Sequence, residues 1–406
     1  MSLALFLAFL TFSVGMKVYK HANLPVFLDS LRDGRFHYFL FGLFLSVSLQ
    51  SDEHLSAFIG GLRYTLVGVG LVWFGFQTGL DFEIRRIRRY PGSDMISQFV
   101  QTLASLLVVA ISVWAAEPLL ISHLGLGGNI QMVALVLGTF ATSLRIPELI
   151  FYRGRKAFAG HARLVNPACL ILFAFIFPFI GEEAVIQIGP ISFIGYASIF
   201  TLLVVLGFLL GIVLDFVFHV HKEALKCAYL CLCVIAVVGG PSLQLQIPGL
   251  VIGFVGGAWL INTSVQRRNI LELSESIGAA VEPIFFGLIG SLLAQHVASP
   301  TFPFQETVIF AILFFMLRGS IKTLCLLIGR YISPMNRPWT DLTAMAWRPL
   351  GTLSAAVLLQ GLYVGIDFTN HALISGALIT IFLTQALPVF VTRGNFQASR
   401  NHRPSS

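Results

Sequence analysis

The residues that stand out chemically lie inside one apolar run: Thr142, Ser143, Arg145, Pro147 and Glu148. The run begins at Asn129 and ends near Tyr152, long enough to cross a bilayer. A charge at that depth costs about 2.5–3.5 kcal/mol on insertion scales, and Pro147 removes a backbone donor. Such a segment is tolerated only where its broken backbone and its charges face protein or a water-filled cavity. The pattern predicts a discontinuous helix at the centre of a transport site. Glu148 is the single acid in that helix, and a carboxyl there can take up and release a proton. It can equally form a structural pair with Arg145, three residues away on the same helical face. Arg145 in turn can neutralise helix ends or attract an anion.

Three more basic residues sit in apolar surroundings. Arg318 lies near the middle of the run 306–330, with Lys322 one turn further on. Lys322 can face the same interior or snorkel to the headgroups. Arg348 precedes Pro349 in the run 339–362 and can satisfy carbonyls freed by a helix break. The remaining charges read as helix ends. Glu282 with Pro283 suits a first helical turn, where the dipole favours an acid. Asp215 lies close to His219 and His221, and Glu117 precedes Pro118 at a wet boundary.

The elements that must position these groups are read from composition. The chain has 406 residues, 56% hydrophobic and only 11% charged, which describes a polytopic membrane protein and no soluble domain of that length. Apolar runs predict thirteen spans, near 1–16, 35–49, 62–80, 97–121, 129–150, 163–181, 190–218, 224–241, 246–262, 277–297, 306–330, 339–362 and 368–391. The segment Met1–Met16 has no basic lead-in and reads as a first span, not a cleaved signal. Alternate loops are basic, carrying for example Arg85, Arg86, Arg88, Arg153, Arg155, Lys222, Arg267 and Arg268. The loops between them carry Asp52, Glu53, Glu182, Glu183 and Asp367. The positive-inside rule then predicts an outside N-terminus and a cytoplasmic C-terminus, in the plasma membrane. The net charge of +7 is loop charge of this kind, so nucleic-acid binding is not indicated.

The expected fold is all-α: two inverted six-helix repeats with discontinuous crossing helices. The transmembrane transporter domain covers 1–393, with repeat one at about 1–181, a linker helix at 190–218 and repeat two at about 224–391. A short polar tail follows at 394–406. Two similar strings support the repeat, Phe74-Gly-Phe-Gln-Thr-Gly-Leu80 and Phe286-Gly-Leu-Ile-Gly-Ser-Leu292, each on the third helix of its half. The fifth helix of each half is interrupted, at Arg145-Ile-Pro147 and at Arg348-Pro-Leu-Gly-Thr352. Paired interruptions at matching places point to an inverted-repeat transporter.

These residues resemble the monovalent cation:proton antiporter superfamily, of the sodium/proton exchanger type, over nearly the whole chain. The resemblance rests on Phe74 to Asp81, Ala141-Thr-Ser143, Gly253 to Asn262, Glu282-Pro-Ile-Phe-Phe-Gly-Leu-Ile-Gly290, and Arg348 to Ala355. It implies a core made of the third to sixth helix of each half, a scaffold of the other helices and a homodimer. It also implies a basic residue, Arg318 or Lys322, near an ion-binding acid. The sixth span departs from the family's pattern. It reads Leu164-Val-Asn-Pro-Ala-Cys169 onward, with Asn166 matching the family asparagine and Pro167 standing where an aspartate binds the ion and the proton.

The expected function is exchange of a monovalent cation, Na+ or K+, for protons across the bilayer. Thr142, Ser143, Arg145, Glu148, Asn166, Arg318, Lys322 and Arg348 form the expected transport site. Two alternatives stay open: an anion or organic-acid transporter on the same fold, suggested by bases outnumbering acids, and a transport-inactive scaffold or sensor, suggested by the missing acid. No enzyme is expected, since no nucleophile–base pair occurs and no GxGxxG follows a strand-like run. No cofactor or metal is expected either. The ten histidines form no HExxH, and the five cysteines read as core packing.

Overall fold

The computed structural model describes residues 36–49, 53–88, 92–117, 130–143, 156–180, 185–188, 191–221, 223–297, 304–332, 350–363 and 371–386. In chain order the helices are α1 (Phe36–Leu49), α2 (Glu53–Leu80), the single turn α3 (Ile84–Ile87), α4 (Gly92–Ala115) and α5 (Ile130–Thr142). They continue with α6 (Lys156–Ile180), α7 (Tyr196–Val220), α8 (Ala224–Gln244), α9 (Gly249–Thr263) and α10 (Arg267–Val297). The last are α11 (Phe304–Ile332), α12 (Thr352–Tyr363) and α13 (His371–Ala386). The expected first span, 1–16, lies outside the described residues.

Five of these helices are long and apolar enough to cross a membrane, among the described residues: those within α4, α7, α8, α10 and α11. Their outward faces are apolar, as with Phe216 at 69% and Leu313 at 64% exposed. A soluble bundle would cover such surface with polar groups, whereas lipid leaves it in an apolar solvent. The chain is an integral, multi-pass membrane protein.

The helical class holds, with one addition. Between α6 and α7 lies an antiparallel hairpin, β1 (Val185–Ile188) and β2 (Ile191–Ile194), in the register Val185↔Ile194 to Ile188↔Ile191. The linker helix was expected from 190, but it starts at Tyr196. Two short β-branched runs flanking Gly189-Pro190 favour strands and a turn over a helical start. Gly195, at φ +89, supplies the left-handed residue that turns β2 into α7.

Glycine sets how closely the helices approach. In α2, Gly75 and Gly79 face the backbone of α9, where a Cβ would overlap the carbonyls of Leu250 and Phe254. In α9, Gly253 and Gly257 return the contact against the carbonyls of Val72 and Phe76. Four-residue spacing on both helices brings the two backbones together without intervening side chains. The pair α1 and α10 meets in the same way. Gly42 lies on the carbonyl of Gly287, and Gly290 lies on that of Phe39.

The packing separates two groups. One is built on α2 against α9 and α8, α10 against α1, and α7 against α9. The other joins α4, α5 and α6 to α11, α12 and α13, with α4 on α5 and α11, α11 on α13, and α5 on α12. The expected core included the third helix of each half, α2 and α10. Their glycine-lined faces commit both helices to α9 and α1, so the structure sets them mainly with the scaffold.

Candidate functional site

α5 is a short helix that stops after Thr142, and its last carbonyls need partners from outside the helix. Each one has a partner. The Thr139 carbonyl accepts the last helical bond, from the Ser143 N–H at 3.2 Å, and the Cys169 thiol of α6 at 3.3 Å. The Phe140 carbonyl accepts the Ser143 hydroxyl at 3.1 Å. The Ala141 carbonyl accepts Arg318 Nε at 3.0 Å. Lys322 Nζ donates to the Thr142 carbonyl at 2.8 Å and approaches that of Ser143 at 3.5 Å.

Arg318 and Lys322 stand one turn apart on α11 and so share a face, which lies along three consecutive carbonyls. Arg318 is 1% exposed and Lys322 is 8% exposed, so Lys322 does not reach for the headgroups. Two cations at the C-terminal end of a helix also match the negative end of its dipole. Burial of both would be costly without these acceptors.

The start of α12 lies opposite. Before α12 starts, the Leu350 N–H donates to the Thr384 hydroxyl of α13 at 3.1 Å. One turn later the Ser354 hydroxyl makes a very short hydrogen bond to that of Ser143. The end of α5 therefore meets the start of α12, negative end to positive end. Arg318 and Lys322 are the only charged residues among the described buried ones.

Of the expected site residues, the structure brings Thr142, Ser143, Arg318 and Lys322 together. Asn166 is buried on α6, one turn before Cys169, which bonds the same stretch of α5. Arg145, Glu148 and Arg348 lie outside the described residues. Ser354 and Cys169 are close partners that the sequence reading did not single out. A small hydroxyl in an interrupted apolar run was the only available signal for Ser354, and a thiol hydrogen bond leaves no sequence signal.

No protein-family model matches the sequence, and neither does any curated protein. Among solved structures, the chain is similar in fold to the sodium proton antiporter MjNhaP1 from Methanocaldococcus jannaschii at pH 8. The TM-score is 0.53 at 16% identity, and the match covers 96% of this chain and 97% of that one.

Proposed function

We propose that the chain is a secondary transporter of the cation:proton antiporter type, exchanging Na+ or K+ for protons, and not an enzyme. The observation that carries this reading is the meeting of α5 and α12. The end of α5 touches the start of α12 through Ser143 and Ser354, and Arg318 and Lys322 hold the last carbonyls of α5. In this reading the meeting lies near the bilayer midplane, where backbone dipoles and hydroxyls handle an ion without a dedicated cage. The antiporter likeness of the fold supports the same reading.

The architecture behind it is two inverted repeats. The two closest scaffold pairs, α2 with α9 and α10 with α1, are equivalents under the exchange of halves, as are α4 with α6 and α11 with α13. In this reading the broken-helix group moves against the scaffold and the chain works as a homodimer. The Arg85 end faces the cytoplasm. Glu148 is the proton-carrying acid, and Asn166, Arg145 and Arg348 complete the site.

The test is flux in proteoliposomes, read with a pH-sensitive dye, with Na+, K+, Li+ and small carboxylates in turn. Cation-dependent proton movement is expected, and Glu148→Gln should abolish it without loss of folding. Wild-type exchange by Glu148→Gln would remove Glu148 from the mechanism. Flux driven by carboxylates alone would move the chain to anion transport, and absence of any flux would leave a membrane scaffold or sensor.

A further inference from the structure

At one end of the scaffold, Asn262 ties two loops together. Its Nδ2 donates to the Phe82 carbonyl at 2.9 Å and its Oδ1 accepts the Ile84 N–H at 2.8 Å. Its own carbonyl accepts Arg267 Nη2 at 3.3 Å. The turn α3 is thereby fixed against the junction of α9 and α10, and the basic residues of both segments gather at one place.

These bases are not alike. Arg86 is held by Glu83 at 2.6 Å, and Arg268 by Glu272 at 2.8 Å. Arg85 and Arg88 are exposed, Arg267 is half-buried, and none of the three makes an ion pair with a described carboxylate. Two aliphatic side chains stand out to solvent beside them: Ile84, 42% exposed on α3, and Val265, 98% exposed between α9 and α10. Unpaired guanidinium groups next to projecting aliphatic groups, at the end of a bilayer-spanning bundle, match a phosphate with acyl chains below it. A free phosphate would have no use for Ile84 and Val265.

We propose that Arg85, Arg88 and Arg267, gathered around Asn262, form a docking surface for the headgroup of an anionic phospholipid. The site would anchor α2 and α9, the closest-packed pair of the scaffold, to one leaflet. It does not depend on which ion the protein moves.

The test uses the purified full chain in neutral detergent. Dioleoyl phosphatidylglycerol, dioleoyl phosphatidylcholine and inorganic phosphate are added separately, and the melting temperature is followed. Phosphatidylglycerol should raise it more than phosphatidylcholine, and inorganic phosphate should not reproduce the rise. Arg85→Gln and Arg88→Gln lie on exposed positions outside the packing. Each should weaken phosphatidylglycerol binding about fivefold, the factor for one basic side chain near an anionic surface. Lys226→Gln serves as control, because Lys226 is already paired with Glu223 at 3.0 Å, and it should change nothing. Equal rises with the two lipids, an equal rise with inorganic phosphate, or an unchanged lipid preference in the Arg85→Gln/Arg88→Gln variant would each overturn the proposal. An equal loss in Lys226→Gln would do so too.

Discussion

The two buried cations of α11 do the work of a helix cap. Lys322 holds the Thr142 carbonyl and Arg318 that of Ala141, both in the last turn of α5. Lys322→Met keeps the length of the stem and removes the donor. The Thr142 carbonyl is then left buried with one partner fewer, at about 1–3 kcal/mol. A lower melting temperature in detergent is the expected result, together with loss of cation-coupled proton flux if the proposed function holds. A variant as stable as the parent would mean that Lys322 does not support the end of α5. The hydroxyl pair is testable separately. Ser143→Ala, Ser354→Ala and the double variant form a cycle, and the direct bond predicts a coupling of roughly 0.5–3 kcal/mol between two positions 211 residues apart in sequence. Simple additivity of the two single effects would show that the hydroxyls do not interact. Arg318 and Lys322 were legible in the sequence because charge in an apolar run is conspicuous. Ser354 was not, because a small hydroxyl is common at transmembrane helix contacts.

The helices themselves were legible where apolar length decides. The runs 35–49, 163–181 and 306–330 correspond to α1, α6 and α11 with shifts of a few residues at most ends. Boundaries failed where polar turns continue a helix beyond the apolar run. α10 begins at Arg267, ten residues before its expected start at 277, because Arg268 and Glu272 pair one turn apart on a water-facing stretch. The hairpin of β1 and β2 was missed because a short β-branched run next to a long apolar one reads as part of the helix. The partners of each helix were also beyond reach, since glycines in a sequence do not say which backbone they face. That contact gives a paired prediction. Gly257→Ala places a Cβ on the Phe76 carbonyl, and Gly61→Ala, also within a helix, meets nothing. Gly257→Ala should lose about 1–3 kcal/mol, as overpacking does. Gly61→Ala should gain about 0.5–1 kcal/mol from the lower entropy of the unfolded chain. Thermal unfolding of both in one detergent checks the sign of each, and destabilisation by Gly61→Ala would count against the space around that position.

At the scale of the whole molecule, the question is how the group of α4, α5, α6, α11, α12 and α13 rests on the group built on α2 and α9. α12 packs with α5, yet Gln360 near its end accepts the Leu250 N–H of α9 at 3.2 Å. Close by in sequence, Tyr363 packs edge-on against Tyr64 of α2, with ring centroids 5.1 Å apart. Tyr64 donates in turn to the Leu243 carbonyl of α8 at 2.9 Å. These contacts link α12 to three scaffold helices at the end opposite Asn262. Leu250 lies in the first turn of α9, where the N–H has no helical acceptor, and both it and Gln360 are fully buried. Nothing but the Gln360 side chain satisfies that N–H among the described residues. If the two groups move against each other during transport, this bond must open in each cycle. Hydrogen exchange of the segment 249–254, followed in proteoliposomes, should therefore be slow in the resting protein and faster under a cation gradient that drives turnover. Gln360→Leu removes the acceptor at similar volume, so the Leu250 amide should exchange faster even at rest, with about 1–3 kcal/mol lost in stability. Exchange that stays slow during demonstrated turnover would mean that α9 and α12 travel together, and the division into a moving group and a scaffold would then have to be drawn elsewhere in the bundle.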